Sequence, residues 1–144
     1  MPAVAFHFNV PDRHGYACRL LRKAYRQGAR VVVTGPERQL HELDRLLWLF
    51  EPLEFVPHWR AGSLAELPAR LAGTPVVLLR QASASAGHSV LVNLGQDIPA
   101  GMQAFERVVE IVGLDEAERA PARERWRGYA AQGCAIERHE VRAG

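Results

Sequence analysis

The sequence predicts an α/β domain in which a mostly parallel sheet carries helices on both faces. Segments with strand character alternate with segments that repeat at helical spacing. One strand, "ARVVVTG", is a continuous apolar run rich in β-branched residues, as expected of a strand covered on both sides. No internal repeat and no long linker divides the 144 residues, so the chain reads as one domain over residues 1–144.

The elements follow in order. "VAFHFNV" (Val4 to Val10) alternates and predicts a first strand. In "RHGYACRLLRKAYRQG", Ala17, Leu20, Leu21, Ala24 and Tyr25 recur at helical spacing, and Gly28 suits a C-terminal cap. "ARVVVTG" is the second strand. "PERQLHELDRLLWLF" is helical through Leu40, Leu43, Leu47 and Phe50, with Pro36 where a first-turn proline is tolerated. "LEFVPHW" is a short strand that Pro57 confines to an edge or an end. "SLAELPARLAG" is weakly helical and interrupted by Pro68, and "PVVLLRQ" and "SVLVNLG" are strands joined by the polar loop "QASASAGHS". "MQAFERVVEIVG" predicts an amphipathic helix through Phe105, Val108, Val109 and Val112. "DEAERAPARERWRGYAAQG" predicts the last helix, and "CAIERHEV" a terminal strand.

Composition narrows the function classes. With 48% hydrophobic and 24% charged residues the chain is not disordered. The net charge is only +2, so affinity for acidic material must come from local clustering. Cys18 and Cys134 lack the spacing of a zinc site or a disulfide framework. "MPAVAFHFNV" has neither the basic start nor the long apolar run of a leader, and no window is long enough to cross a bilayer, so a cytoplasmic location with no membrane contact is expected.

This layout is Rossmann-like, yet phosphate motifs are missing. There is no GxxxxGK[ST] and no GxGxxG. The turn "TGPERQ" places Thr34 and Gly35 before a helix N-terminus that can hold an anion, but Gly35-Pro36 also reads as a plain tight turn. His7, His14, His41, His58, His88 and His139 show no metal spacing, and His7, between Phe6 and Phe8, reads as a core histidine. Ser83, Ser85, His88 and Ser89 share one loop, but GxSxG is absent. No catalytic residue, metal or cofactor is assigned.

Two surfaces remain. Arg119, Arg123 and Arg127 fall four apart beside Trp126, a row on which we place no carboxylate. It is either a solvated helix face or a dock for an acidic segment. Asp115 with Glu118 resembles a capping box that starts the helix early; a start near Ala120, with Pro121 in the first turn, would take Arg119 out of the row. The second surface is "LDRLLWLFEPLEFVPHW". Leu46 to Phe50 are all large and apolar, so a helix must turn Trp48 or Leu49 outward or onto the following segment.

The ordered segments "RKAYRQGARVVV", "LDRLLWLFEPLEFVPH", "SVLVNLG", "FERVVEIVG" and "ARERWRGYAAQGCAIERHE" resemble the chi subunit family of the bacterial DNA polymerase III holoenzyme over nearly the whole chain. The resemblance implies a non-enzymatic clamp-loader adaptor. Its partners would be the acidic C-terminal tail of single-stranded DNA-binding protein and the psi subunit; some relatives instead bind an accessory DNA-repair helicase. Contact with nucleic acid would be mainly indirect. By the same resemblance, Val112, Arg119, Arg123, Trp126 and Arg127 match the tail-binding positions, and Trp48, Phe55 and Pro57 the surface for psi or the helicase. Two other readings stay open: an α/β enzyme, nucleotide-dependent or hydrolytic, using the Thr34-Gly35 turn or the Ser83–Ser89 loop, and direct binding of single-stranded nucleic acid by Arg and Trp.

Overall fold

The alternating residues Ala3–Val10 form strand β1, and Asp12 then starts helix α1, Arg13–Arg26, by accepting the Gly15 amide on its side chain at 3.1 Å. The helix ends in a Schellman turn. Gly28, at φ 80°, donates to the Tyr25 carbonyl at 3.0 Å and Ala29 to that of Ala24 at 2.9 Å. Strand β2, Val31–Thr34, is buried throughout. Helix α2, Glu37–Leu49, begins just after Pro36, whose carbonyl accepts the Leu40 amide at 3.1 Å, and buries Leu40, Leu43 and Leu47. The remaining elements are β3, His58–Ala61; β4, Val76–Leu79; β5, Val90–Asn93; β6, Arg107–Gly113; α3, Glu116–Ala131; and β7, Ile136–Glu140. This computed structural model describes residues 1–49, 56–66, 68–71, 73–82 and 88–141.

The seven strands among the described residues make one sheet in the order β3-β4-β2-β5-β6-β1-β7, and every described pairing is parallel. Helices α1 and α2 cover one face, packing Ala17, Cys18, Leu21, Leu40 and Leu43 on Val31, Val33, Val76 and Leu78. Helix α3 and a 3-10 turn at Met102–Ala104 cover the other, over Phe6, Val32, Leu91, Val108 and Val112. The predicted layout is the observed one, helices on both faces included. His7 is satisfied as expected of a core histidine: it bonds the Tyr16 hydroxyl and stacks on His139 at 4.8 Å. Burial and the neighbouring His139 push its pKa down to about 4.

Three segments differ from the sequence reading. The stretch containing Phe105, Val108, Val109 and Val112 is not a helix: after the turn at Met102–Ala104 it becomes β6, buried from Val108 to Gly113. A strand covered on both faces loses its alternation, and its apolar residues can then mimic helical spacing by accident. The third-strand prediction was placed too early, since β3 starts after Pro57; as expected, it lies at the sheet edge. Residues 64–71 give two short turns, Leu64–Glu66 and Ala69–Leu71, on either side of Pro68.

Helix α3 takes the early start, with Asp115 at its N-cap and Pro121 inside it. The Asp115 carbonyl accepts the Glu118 and Arg119 amides at 3.0 Å each, but its side chain makes no capping bond. All three arginines of the row are therefore helical.

Candidate functional site

The row of arginines faces away from the core, but its members have partners. Arg123, exposed, pairs with Glu116, seven residues earlier on the same face. Arg127 pairs with Glu124 one turn back. The expectation of a row without carboxylates is thus corrected. Two turns of helix return Glu116 to the same stripe, and long side chains let Glu124 reach across. Both pairs are open to solvent, where such contacts are weak and exchange readily. Arg123 nonetheless holds the Glu116 carboxyl below its usual range. Arg119 is different: it is half-buried and donates to the Asn9 side chain. The β1–β6 register shifts between His7 and Val10, and Asn9 takes φ 61° there, a left-handed conformation asparagine tolerates better than most residues.

Beside the row lies an aromatic layer. Trp126, half-buried, rests on Phe6 and Phe8 with ring centroids 5.0 and 6.2 Å away. Phe6 and Phe8 stack at 5.6 Å, and the Arg138 guanidinium from β7 sits 4.6 Å over the Phe8 ring. Val112, 1% exposed, belongs to the same cluster and lies within the core. Asn9, Phe8 and Arg138 were missed in the sequence. The Phe6-His7-Phe8 alternation was a usable signal for Phe8, whereas Arg138 comes close only through the β1–β7 pairing.

A buried network pins α3 to the sheet. Glu110 on β6 is 0% exposed and accepts from Arg125 Nε at 3.0 Å, Asn93 Nδ2 at 3.0 Å and the Tyr129 hydroxyl at 2.7 Å. Arg125 also donates to the Gln96 carbonyl at 3.0 Å. Burial pushes the Glu110 carboxyl up, against the pull of Arg125, and burial with the nearby Glu110 raises the Tyr129 hydroxyl. The polar side of α3 thereby keeps a fixed heading.

At the carboxyl ends of the strands, where folds of this layout take nucleotides, clefts of about 330 and 370 Å³ open beside Arg13 and beside Thr34, and the polar groups around them are engaged with the chain itself. Arg13 donates from Nε to the Ile111 carbonyl at 3.0 Å and from Nη2 to that of Leu94 at 3.1 Å, and stands 3.1 Å from Glu118. The α1 N-terminus holds Asp12. Thr34 donates its hydroxyl to the Arg80 carbonyl at 3.2 Å, and a Cβ on Gly35 would stand 3.1 Å from the Leu94 Cβ, so the turn is packed against the residue that follows β5. Of the serine-rich loop, Ser83 and Ser85 lie outside the described residues; His88 is buried and donates from Nε2 to the Thr74 carbonyl at 2.8 Å.

The second surface is at the β3 edge of the sheet. Trp48, 57% exposed, and Leu49, 62% exposed, face outward at the end of α2, as the apolar run required. Trp48 packs on His58 at 4.8 Å, and with Trp59, Asp44 and Arg60 it lines a cleft of about 300 Å³. Pro57 is half-buried next to it; Phe55 lies outside the described residues. The β3 and β7 edges are six strand spacings apart, about 29 Å at about 4.8 Å each.

Residues 1–137 match the family described as "DNA polymerase III chi subunit, HolC". Among curated proteins, the DNA polymerase III subunit chi of Pseudomonas aeruginosa is 37% identical over 127 residues, covering 87% of this chain and 84% of that one. The Haemophilus influenzae subunit is 31% identical over 87% of this chain and 85% of its own length. The Escherichia coli subunit is 31% identical over 81% and 77%. The chain therefore belongs to the DNA polymerase III chi subunit family and is a non-catalytic accessory subunit of the replication machinery.

Proposed function

We propose that this protein, one domain over residues 1–144 working in the cytoplasm, is a replisome adaptor with two separate docks. The acidic C-terminal tail of single-stranded DNA-binding protein binds on α3: Arg123 and Arg127 take its carboxylates, Trp126 receives its last side chain, Arg119 and Asn9 close one end, and Val112 backs the layer from below. The Trp48 surface, with Pro57 and Phe55, holds the psi subunit or an accessory helicase and so reaches the clamp loader. The observation that carries this reading is a row of exposed guanidinium groups beside a half-buried tryptophan backed by two phenylalanines.

The energetics suit a contact that must exchange. Burying a terminal phenylalanine contributes about 1.5–3 kcal/mol. The arginine forks add charge-assisted bonds that salt weakens. After ordering costs the affinity falls on the order of micromolar. Fluorescence anisotropy with a labelled acidic peptide ending in Pro-Phe is the test. Arg123→Ala with Arg127→Ala should weaken binding about tenfold, as should removal of the peptide's last residue. Unchanged affinity in both cases would place the tail elsewhere.

The internal pairs give a second prediction. In the free chain Glu116 and Glu124 hold the groups the tail needs, so binding exchanges one set of ion pairs for another. Glu116→Gln with Glu124→Gln should tighten the peptide about threefold and steepen its salt dependence. Glu37→Gln with Glu106→Gln, an equal change of charge at exposed positions away from this helix, should do neither; if it does both, general charge and not pairing sets the affinity.

A further inference from the structure

A second charged surface lies on α1, on the other face of the sheet from α3. Between Arg13 and Pro36 stand six basic residues and no aspartate or glutamate, so that segment carries +6 while the rest of the chain, against a total of +2, carries −4. Arg19, Arg22, Lys23 and Arg26 recur at i, i+3, i+4 and i+7, which gathers them on one helix face. Arg19, Lys23 and Arg26 are exposed, opposite the buried Ala17, Cys18 and Leu21. Two aromatic rings flank them. Tyr25 is 37% exposed, and the Arg19 guanidinium lies 5.9 Å over the Tyr16 ring. The described carboxylates of the adjacent α2 are turned to other cations. Glu42 pairs with Arg45 at 2.7 Å, Asp44 lies 3.2 Å from His58 and 3.8 Å from Arg60, and Glu37 lies 3.9 Å from Arg80. Complementing the helix dipole explains Lys23 and Arg26 in the last turn, but not Arg19 a turn earlier.

We propose that this face of α1 binds the phosphate backbone of single-stranded nucleic acid. The apolar stripe of α1 is spent on the core, which leaves no greasy face to enter a bilayer. Cations interleaved with accessible tyrosine match the groove-and-stack recognition of single strands, whose bases are free to stack. From Arg19 to Arg26 the helix rises about 10 Å, the span of about three phosphates on one strand. The contact is weak and sequence-independent, and it lies apart from the arginine row of α3.

Anisotropy of a fluorescein-labelled oligothymidylate, titrated with the full chain at low salt and then with rising salt, tests this. The wild type should bind with a log–log salt slope of about −2, from about 0.7 per phosphate neutralised. Arg19→Glu with Lys23→Glu should weaken it at least tenfold, and the milder Arg19→Gln with Lys23→Gln several-fold, with far-ultraviolet circular dichroism unchanged. Arg123→Ala with Arg127→Ala should bind as wild type, and a duplex of equal length should bind less well. The assignment is overturned if the wild type does not bind, if both α1 variants bind as wild type, or if the α3 variant loses as much. It is equally overturned if phosphatidylglycerol vesicles, and not the oligonucleotide, capture the protein.

Discussion

Arg125→Met is expected to remove about 3–5 kcal/mol of folding stability at neutral pH, because it leaves a buried carboxylate without its cation. Glu110 has no exposed surface and keeps only Asn93 and Tyr129 once the guanidinium is gone. The size of the loss should depend on pH in a defined direction. Burial already pushes the Glu110 carboxyl up, and Arg125 is the largest influence pulling it back. Without Arg125 the folded state holds the Glu110 proton to higher pH than the unfolded chain does. The deficit is therefore smallest below the unfolded carboxyl value, about 4.3, and grows as pH rises through the higher folded value. Denaturant unfolding across that range measures it. Adding Glu110→Gln to the variant should recover much of the neutral-pH loss, since no lone charge remains. A deficit that is flat with pH, or one that the second substitution deepens, would show that Glu110 is not the group left stranded.

Trp48→Ala should weaken capture of the psi subunit or helicase about thirtyfold, the effect of losing an aromatic anchor worth about 2 kcal/mol. The free chain should lose little stability, because the ring is 57% exposed. Thermal unfolding separates the two effects. The acidic peptide should bind this variant as it binds wild type, because the Trp48 cleft and the α3 row lie toward opposite edges of the sheet. Retention of both candidate partners would remove the Trp48 surface from the assignment, and loss of peptide binding would mean that the two docks are one.

What was legible followed from physics local to each segment. Gly28 at the end of α1, Pro57 before the edge strand and the crowded run that had to turn Trp48 and Leu49 outward are decided within a few residues. The β6 segment was misread because double-sided burial erases the alternation that identifies a strand. Glu110, in the same segment, is the buried partner of Arg125 fifteen residues on. Around the arginine row, the sequence displayed Arg123, Trp126 and Arg127 but hid Asn9 and Arg138, which arrive from β1 and β7. Glu116 was visible and its helical phase was overlooked.

Strand β1 is the most sequence-distant member of its part of the sheet. Its neighbours are β6 and β7, whose residues begin about a hundred positions later, so Phe6 and Phe8 have no lateral support until those two strands have been made. Until then β1 is an apolar strand with both edges bare, the form most open to mispairing with another copy. Closing this side of the sheet is therefore a late, long-range step, and the sequence separation it spans slows folding.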